Sequence, residues 1–218
     1  LPIDAISVSR ISHPKDRFKI GDDIKAIIKN IAPDGKITLS HKELLDNEEL
    51  DAVSVATYNT THAECSIYAL EKGVHVLCEK PMAMNTKQAE EMLEAAKKNN
   101  KLLQIGFVRR YGNDADVMKD FIDAGYFGDI YYAKATAIRR RAVPTWGVFL
   151  NEEEQGGGPL IDIGTHALDL TLWTMDNYKP KYCVGTTYHK LNDQTESANV
   201  FGQWKPEEFT VEDSAFGF

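Results

Sequence analysis

The chain has 218 residues, of which 43% are hydrophobic and 27% charged, a composition typical of a globular protein with a sizeable buried core. Its formal net charge of -8 disfavours nucleic acid as a partner, because phosphate backbones are held mainly by clustered Lys and Arg. No apolar run reaches the roughly 20 residues of a membrane span, and the first residues lack a secretory pattern, so we expect a cytoplasmic protein without membrane contact.

Residues 1–43 differ from the rest of the chain in charge and in pattern. They carry a formal charge of +2, whereas the remainder carries -10. Two strand-like runs, residues 18–28 and 36–40, flank a turn at residues 33–35 with no helix between them, which predicts a short antiparallel β segment. No Gly-x-Gly-x-x-Gly loop occurs there, although a dinucleotide fold needs one between its first strand and first helix.

Residues 44–128 alternate short apolar runs with amphipathic stretches, which is the pattern of parallel strands joined by crossover helices. Each of three helical patterns follows a strand-like run, at residues 52–57, 74–78 and 102–107. Asn85 is the expected N-cap of the second helix, with Gln88 three residues later. We therefore predict an α/β fold with a partial doubly wound, Rossmann-like parallel sheet.

Residues 129–218 carry a mixed pattern, which predicts the start of a second, α+β domain that would cover the substrate. Strand-like residues 130–138 come first, and Gly156-Gly157-Gly158 then forms a turn that opens an apolar helix running through Trp173. The closing residues 211–218 alternate as a strand with nothing after them to pair against, so we expect a truncated sheet.

Three short motifs follow one another along residues 42–218. They are Asp51–Asn59 with His62, then Glu79-Lys80-Pro81, and then Gly157–His166. In order and spacing they resemble the glucose-fructose oxidoreductase and inositol dehydrogenase family (Gfo/Idh/MocA), with a departure at Tyr58, where the family usually has proline. The resemblance implies an NAD- or NADP-dependent dehydrogenase that acts on the CH–OH group of a sugar or polyol.

A different resemblance belongs to residues 9–45. It is carried by Ser9–Ser12, Phe18–Asp22 and Gly35–Leu45, which are similar to the later strands of the RNA-binding oligonucleotide-fold repeat of a large ribosomal protein. The chain then divides into a β segment at residues 1–43, a partial dinucleotide-binding domain at 44–128 and a truncated substrate domain at 129–218. A natural fusion, a rearranged gene and an assembly artefact would all produce such a junction.

The missing glycine loop leads us to expect a dehydrogenase that binds its cofactor weakly or is inactive. One alternative is an RNA-binding module formed by the first segment. It is disfavoured because Phe18 is the only aromatic residue there, and base stacking normally needs several. The other alternative is an inert chimera.

Three residues could carry the oxidation of a secondary alcohol, in which a base takes the hydroxyl proton while hydride leaves the carbon. His166 is the candidate base, and Asp162, four residues earlier on the predicted helix, would orient its imidazole. Lys80, at a strand end, would stabilise the developing alkoxide. The resemblance implies the same roles. Alone, His166 would more often be a core residue and Glu79-Lys80 a solvated ion pair, but the matching motifs favour function.

The resemblance implies that the cofactor is contacted by residues after the first two strands of the parallel sheet. These are Ala56, Thr57, Asn59, His62, Glu79 and Lys80. Asn59 is equally a candidate helix cap, and His62 is interpreted as a first-turn surface residue rather than a catalyst. Arg139–Arg141 would meet an anionic substrate or a cofactor phosphate, or form a solvated loop. No metal is expected, because the three cysteines lack paired spacing, and a homo-oligomer is compatible with the sequence.

Overall fold

The computed structural model describes residues 28–31, 37–39, 45–196 and 198–218. The chain forms two compact units, Leu1–Gly106 and Phe107–Phe218. This division follows the contacts between residues, and the predicted domain ranges 1–43, 44–128 and 129–218 stay a prediction. Within the described residues, no helix is long and apolar enough to cross a bilayer.

A two-stranded antiparallel sheet lies at the start of the described chain. Strand β1 (Ile28–Ile31) pairs with strand β2 (Ile37–Leu39), and the register shifts between Ile28 and Asn30. This pairing confirms an antiparallel pair around the predicted turn at residues 33–35, although its first strand begins only at the last residue of the predicted run 18–28. The predicted strand over residues 18–28 lies outside the described residues except at its last position.

The first unit also contains a three-stranded parallel sheet. Its order is β3 (Ala52–Val55), β4 (His75–Cys78) and β5 (Leu103–Ile105), so β4 is central. Val53 lies opposite Val76, and Val76 lies opposite Leu103, which brings branched apolar side chains together along the sheet. The predicted Rossmann-like parallel sheet is confirmed, with strands somewhat shorter than the apolar runs suggested.

Two helices pack on this sheet, α1 (His62–Glu71) and α2 (Thr86–Lys98). Leu70 of α1 and Met92 of α2 have no exposed surface. They form one core with the sheet residues Val55, Val76 and Cys78. Burial of this apolar surface is the main stabilising contribution to the first unit, at roughly 25 cal/mol per Å² removed from water.

Helix α2 begins at its predicted cap. The Asn85 side chain accepts a hydrogen bond from the backbone N–H of Gln88 at 3.0 Å. In return, the Gln88 side-chain oxygen accepts the backbone N–H of Met84 at 3.0 Å. The first bond satisfies a backbone donor that the first turn leaves without an intrahelical partner, and the second fixes the residue that precedes the cap.

The second unit contains three helices and a small antiparallel sheet among its described residues. The helices are α3 (Asn113–Asp123), α4 (Glu152–Gln155) and α5 (Thr165–Met175), and strand β6 (Gly185–Tyr188) pairs with β7 (Ser214–Gly217). Trp204, Phe209 and Val211 form the buried core of this unit.

One sequence-based expectation for the second unit is wrong. Residues 130–138 form no strand, and Tyr131 and Ile138 are 92% and 86% exposed. A strand needs a partner strand to satisfy its backbone donors and acceptors, and no described segment pairs with this run. The closing strand is confirmed as β7, which pairs with the earlier strand β6, with Tyr188 opposite Ser214, and the truncation of this sheet stays a prediction. The apolar helix runs through Trp173 as predicted, and its first part, Leu160–Gly164, is a π-helical turn that leads directly into α5.

Candidate active site

The carboxyl ends of β3, β4 and β5 lie in line at one edge of the parallel sheet. The backbone N–H of Glu79 donates to the carbonyl of Val55 at 2.9 Å, and the N–H of Gly106 donates to the carbonyl of Cys78 at 2.7 Å. The loop after β3 carries Ala56, Thr57 and Asn59, and the loop after β4 carries Glu79 and Lys80. The structure therefore brings the predicted cofactor-side residues to the edge where open α/β sheets bind ligands.

Asn59 is buried and is the first residue of a 3₁₀ turn, Asn59–Thr61, that leads into α1. The cap interpretation of Asn59 is wrong, because the N-cap position of this turn belongs to Tyr58 and that of α1 to Thr61. The Thr57 hydroxyl accepts a hydrogen bond from the Thr61 hydroxyl at 2.8 Å, which ties the loop to the same turn. The cofactor contacts assigned to Ala56, Thr57 and Asn59 stay a prediction.

His62 has an environment that the sequence did not suggest. The residue is 1% exposed, so its interpretation as a surface residue is wrong. Its Nδ1 lies 2.7 Å from the carbonyl oxygen of Pro81, and its Nε2 lies 3.1 Å from the carbonyl oxygen of Thr57. Both ring nitrogens thus contact the backbone, and the cofactor contact assigned to His62 stays a prediction.

Glu79 and Lys80 are half-buried. The Glu79 carboxylate accepts the backbone N–H of Lys80 at 3.3 Å. A Cβ atom at Gly106 would lie 3.3 Å from the same carboxylate, tighter than ordinary van der Waals contact, so glycine leaves room for Glu79 at the neighbouring strand end. The peptide bond between Lys80 and Pro81 is cis.

Cys78 and His75, two residues of β4, have surroundings that suit a structural and not a catalytic role. Burial raises the pKa of the Cys78 thiol to about 12, so the thiolate that a nucleophile needs is scarce at neutral pH. His75 Nδ1 accepts the backbone N–H of Leu102 at 2.9 Å, at the opposite edge of the sheet from Lys80. Among the described residues, no group of three or more His, Cys, Asp and Glu could hold a metal ion.

In the second unit, Asp162 lies on the π-helical turn and His166 near the start of α5. A π turn has about 4.4 residues, so a spacing of four still leaves the two residues on nearly the same face. Asp162 is buried, and its carboxylate lies 4.0 Å from the Arg139 guanidinium, while His166 is half-buried. The role of Asp162 in orienting His166 stays a prediction.

A cavity of about 450 Å³ adjoins Asp162 within the second unit. It combines charged side chains with aromatic walls, and its lining includes Arg139–Arg141, Asp162, Trp204, Phe209 and Glu212. Trp204 and Phe209 meet edge to face, with ring centroids 5.8 Å apart. Trp204 and Glu212 were not predicted from the sequence, because they lie far along the chain from the motifs and no local pattern indicates that they line the same cavity as Asp162.

Glu212 fixes the backbone that leads into Asp162 and His166. Its carboxylate accepts the backbone N–H of Gly158 at 2.8 Å and, more weakly, that of Leu160 at 3.4 Å. These amides lie at the start of the helical segment, where backbone donors lack intrahelical partners. A carboxylate there is also favoured by the helix dipole.

The chain matches two successive parts of one protein family. Residues 23–107 match the oxidoreductase family with the NAD-binding Rossmann fold, and residues 116–217 match the GFO/IDH/MocA C-terminal domain. The chain belongs to the Gfo/Idh/MocA oxidoreductase family. The match begins inside residues 9–45, and the comparisons give no support to the ribosomal resemblance of that segment.

Several named relatives of the chain are dehydrogenases. The chain is 44% identical over 167 residues to D-glucoside 3-dehydrogenase of Escherichia coli (strain K12), which covers 77% of this chain and 47% of that protein. It is 29% identical over 156 residues to inositol 2-dehydrogenase of Gluconacetobacter diazotrophicus, covering 71% and 44%. The chain therefore spans about half the length of the curated relatives it matches.

Solved structures of the family share the fold. Myo-inositol 2-dehydrogenase from Lactobacillus plantarum superposes with a TM-score of 0.67 at 25% identity, over 82% of this chain and 49% of that chain. An NAD-binding protein from Listeria innocua gives a TM-score of 0.67 at 28% identity, over 85% and 48%. These likenesses agree with the Rossmann-like sheet of the first unit.

Proposed function

We propose that this protein is an NAD(P)-dependent oxidoreductase that oxidises a secondary alcohol of a sugar or polyol. The observation that carries the proposal is the alignment of the loops after β3 and β4, which bring the candidate cofactor-side residues and Lys80 to one sheet edge. Family membership supports the reaction class, and the names of the glucoside and inositol dehydrogenases support the substrate class.

The residues at this edge suit the nicotinamide half of the cofactor. Thr57 offers a hydroxyl, Asn59 an amide and Lys80 an ammonium, the groups that would hold a carboxamide and ribose hydroxyls. Gly106 supports the fit, because a larger residue would crowd the Glu79 carboxylate at the same edge. The bound nicotinamide would accept the hydride from the carbon that carries the hydroxyl.

Each candidate catalytic residue has a separate task with the substrate hydroxyl. His166 takes the proton, and Asp162 holds the imidazole in the orientation that this requires. The Lys80 ammonium stabilises the negative charge that develops on the oxygen. The cavity beside Asp162 supports a sugar-like substrate, because it combines charged groups with the aromatic faces of Trp204 and Phe209.

We further propose that the 218-residue chain by itself binds NAD weakly. No Gly-x-Gly-x-x-Gly sequence occurs in it, and such a loop supplies the backbone amides that hold the pyrophosphate. Calorimetric titration with NAD measures the affinity. A dissociation constant in the low micromolar range would mean that another segment binds the phosphates.

Turnover with NAD tests the proposed reaction. The purified chain is incubated with NAD and either a glucoside or an inositol, and NADH is followed by absorbance. We expect slow oxidation that falls by about 100-fold or more in Lys80→Met and in His166→Ala. Turnover that survives both substitutions would contradict the assigned roles, and no turnover on any secondary alcohol would contradict the activity of this chain.

A further inference from the structure

His62 joins the two loops that carry the candidate residues of the first unit. Its Nδ1 contacts the carbonyl of Pro81, directly after Lys80, and its Nε2 contacts the carbonyl of Thr57, two residues before Asn59. The imidazole is 1% exposed, so water does not compete for either contact. Both contacts are to the main chain, which makes the ring a link between backbones rather than between flexible side chains.

The two contacts are not equivalent. A carbonyl oxygen only accepts hydrogen bonds, and a neutral imidazole carries a single N–H. One ring nitrogen can therefore donate to one carbonyl in the neutral state, and the shorter contact of 2.7 Å, against 3.1 Å, favours donation from Nδ1 to Pro81. In that tautomer Nε2 carries no hydrogen and forms no hydrogen bond with the Thr57 carbonyl, so the contact with Thr57 is one of packing only.

The stronger contact lies where it can control Lys80. On one side, the backbone N–H of Lys80 donates to the Glu79 carboxylate at 3.3 Å, a long and weak bond. On the other side, the carbonyl of Pro81 is held by the buried His62. The backbone of Lys80 is thus bracketed by two contacts, and the shorter and more buried of them comes from His62.

We propose that His62 is a positioning residue: its Nδ1–H donates to the carbonyl of Pro81 and thereby holds Lys80 at the sheet edge. The same ring packs against the Thr57 carbonyl without a second hydrogen bond, so the proposal concerns the position of Lys80 and not that of the loop after β3. The effect of His62 on catalysis rests on the proposed function, but its effect on the position of Lys80 does not. It is therefore measurable without cofactor or substrate.

Three substitutions of His62 separate the two contacts. Asn places an amide N–H near the position of Nδ1, Gln places one near the position of Nε2, and Leu removes both donors. Two readouts are used: the rate of reductive methylation of the Lys80 amine, and hydrogen exchange in peptides covering residues 57–61 and 79–84. Lys97, an exposed residue of α2, is the internal reference for the methylation rate.

We expect methylation of Lys80 and exchange in 79–84 to rise by about fivefold to tenfold in His62→Leu and in His62→Gln, because the bond to Pro81 is lost. His62→Asn should stay within about twofold of the original chain, because it retains that bond. His75→Leu is the matched control: it removes another histidine bond to the backbone, that to Leu102, and should leave Lys80 unchanged.

The comparison of Asn with Gln decides the proposal even if His62→Leu does not fold. Rescue by Gln and not by Asn would overturn it in favour of the Thr57 contact. Equal rates in all three variants would show that His62 does not position Lys80. Because neither readout involves NAD or turnover, these outcomes are independent of whether the protein is a sugar dehydrogenase.

Discussion

Gly158 is a position where a single missing Cβ atom determines the backbone path into the candidate catalytic helix. A Cβ atom built there would overlap the carbonyl oxygen of Glu212 and lie 3.0 Å from its carbonyl carbon. The N–H of Gly158 also donates to the Glu212 carboxylate at 2.8 Å. Glycine is required by this close approach of two backbones, which neither residue can relieve by rotating a side chain.

We expect Gly158→Ala to destabilise the second unit by about 3 kcal/mol, since the backbone of Glu212 must move and its hydrogen bond is lost. Urea unfolding followed by tryptophan fluorescence measures this, because Trp146, Trp173 and Trp204 all lie in the second unit. Gly128→Ala is the control. It has a φ of +60° but open space, so a cost of about 1 kcal/mol is expected. Equal losses of stability in Gly158→Ala and Gly128→Ala would contradict the explanation by close approach of the two backbones.

At the scale of elements, an ion pair holds the 3₁₀ turn Val108–Tyr111 against α5. Arg110 Nε donates to Asp169 at 2.8 Å, and a second guanidinium nitrogen contacts the other carboxylate oxygen. The Asp169 side chain is 5% exposed, and the carboxylate raises the pKa of the Arg110 guanidinium. The Arg110 guanidinium also lies 5.8 Å from the Trp173 ring. This cluster anchors the helix that begins next to His166.

Asp169→Ala should destabilise the second unit by about 2 kcal/mol, because it leaves the Arg110 guanidinium without its bidentate partner in a partly buried site. The matched control is Asp123→Ala, which removes the exposed pair with Lys119 on α3 and should cost at most about 0.5 kcal/mol. Tryptophan-detected urea unfolding reports both. If the two variants lose similar stability, the Arg110–Asp169 pair is not an anchor of α5.

At the scale of the whole molecule, the proposed chemistry depends on both units. Lys80 belongs to the first unit, and Asp162 and His166 belong to the second. A base, its orienting carboxylate and an alkoxide-stabilising ammonium act together only when they surround one hydroxyl. The convergence of these three side chains at one cleft is therefore a prediction that follows from the proposed function.

We expect the side-chain tips of Lys80 and His166 to lie within about 10 Å of each other in the unliganded protein. In Lys80→Cys with His166→Cys, a bifunctional thiol reagent of that reach should link the two positions, as measured by mass spectrometry. Cys65 and Cys183 are first replaced, whereas Cys78 can remain, because it is buried with a pKa of about 12. Lys97→Cys with His166→Cys is the control, since the end of α2 lies at the amino edge of the sheet. Equal cross-linking of the two cysteine pairs would contradict the assignment of Lys80 and His166 to one active site.

Local patterns predicted the elements whose causes are local. Asn85 caps α2 because its side chain reaches an amide three residues away, and the apolar runs became parallel strands because each was followed by an amphipathic helix. The prediction of a strand at residues 130–138 was wrong, because their composition is strand-like but no described segment pairs with them. Asp162 and His166 were predicted as catalytic residues from their spacing and motif, and this assignment stays a prediction, whereas the π-helical turn that carries Asp162 had no sequence signal.

The sequence by itself determined the Rossmann-like parallel sheet, the family and the candidate residues of the active site, since these depend on periodicity and on short motifs that are read within a few residues. Only the tertiary structure decided the surroundings of His62, which is buried and contacts Thr57 and Pro81 because two loops converge at one sheet edge. The same holds for Glu212, which reaches Gly158 from 54 residues away. Contacts of this kind arise from packing and buried hydrogen bonds between distant segments, which leave no periodic trace in the chain.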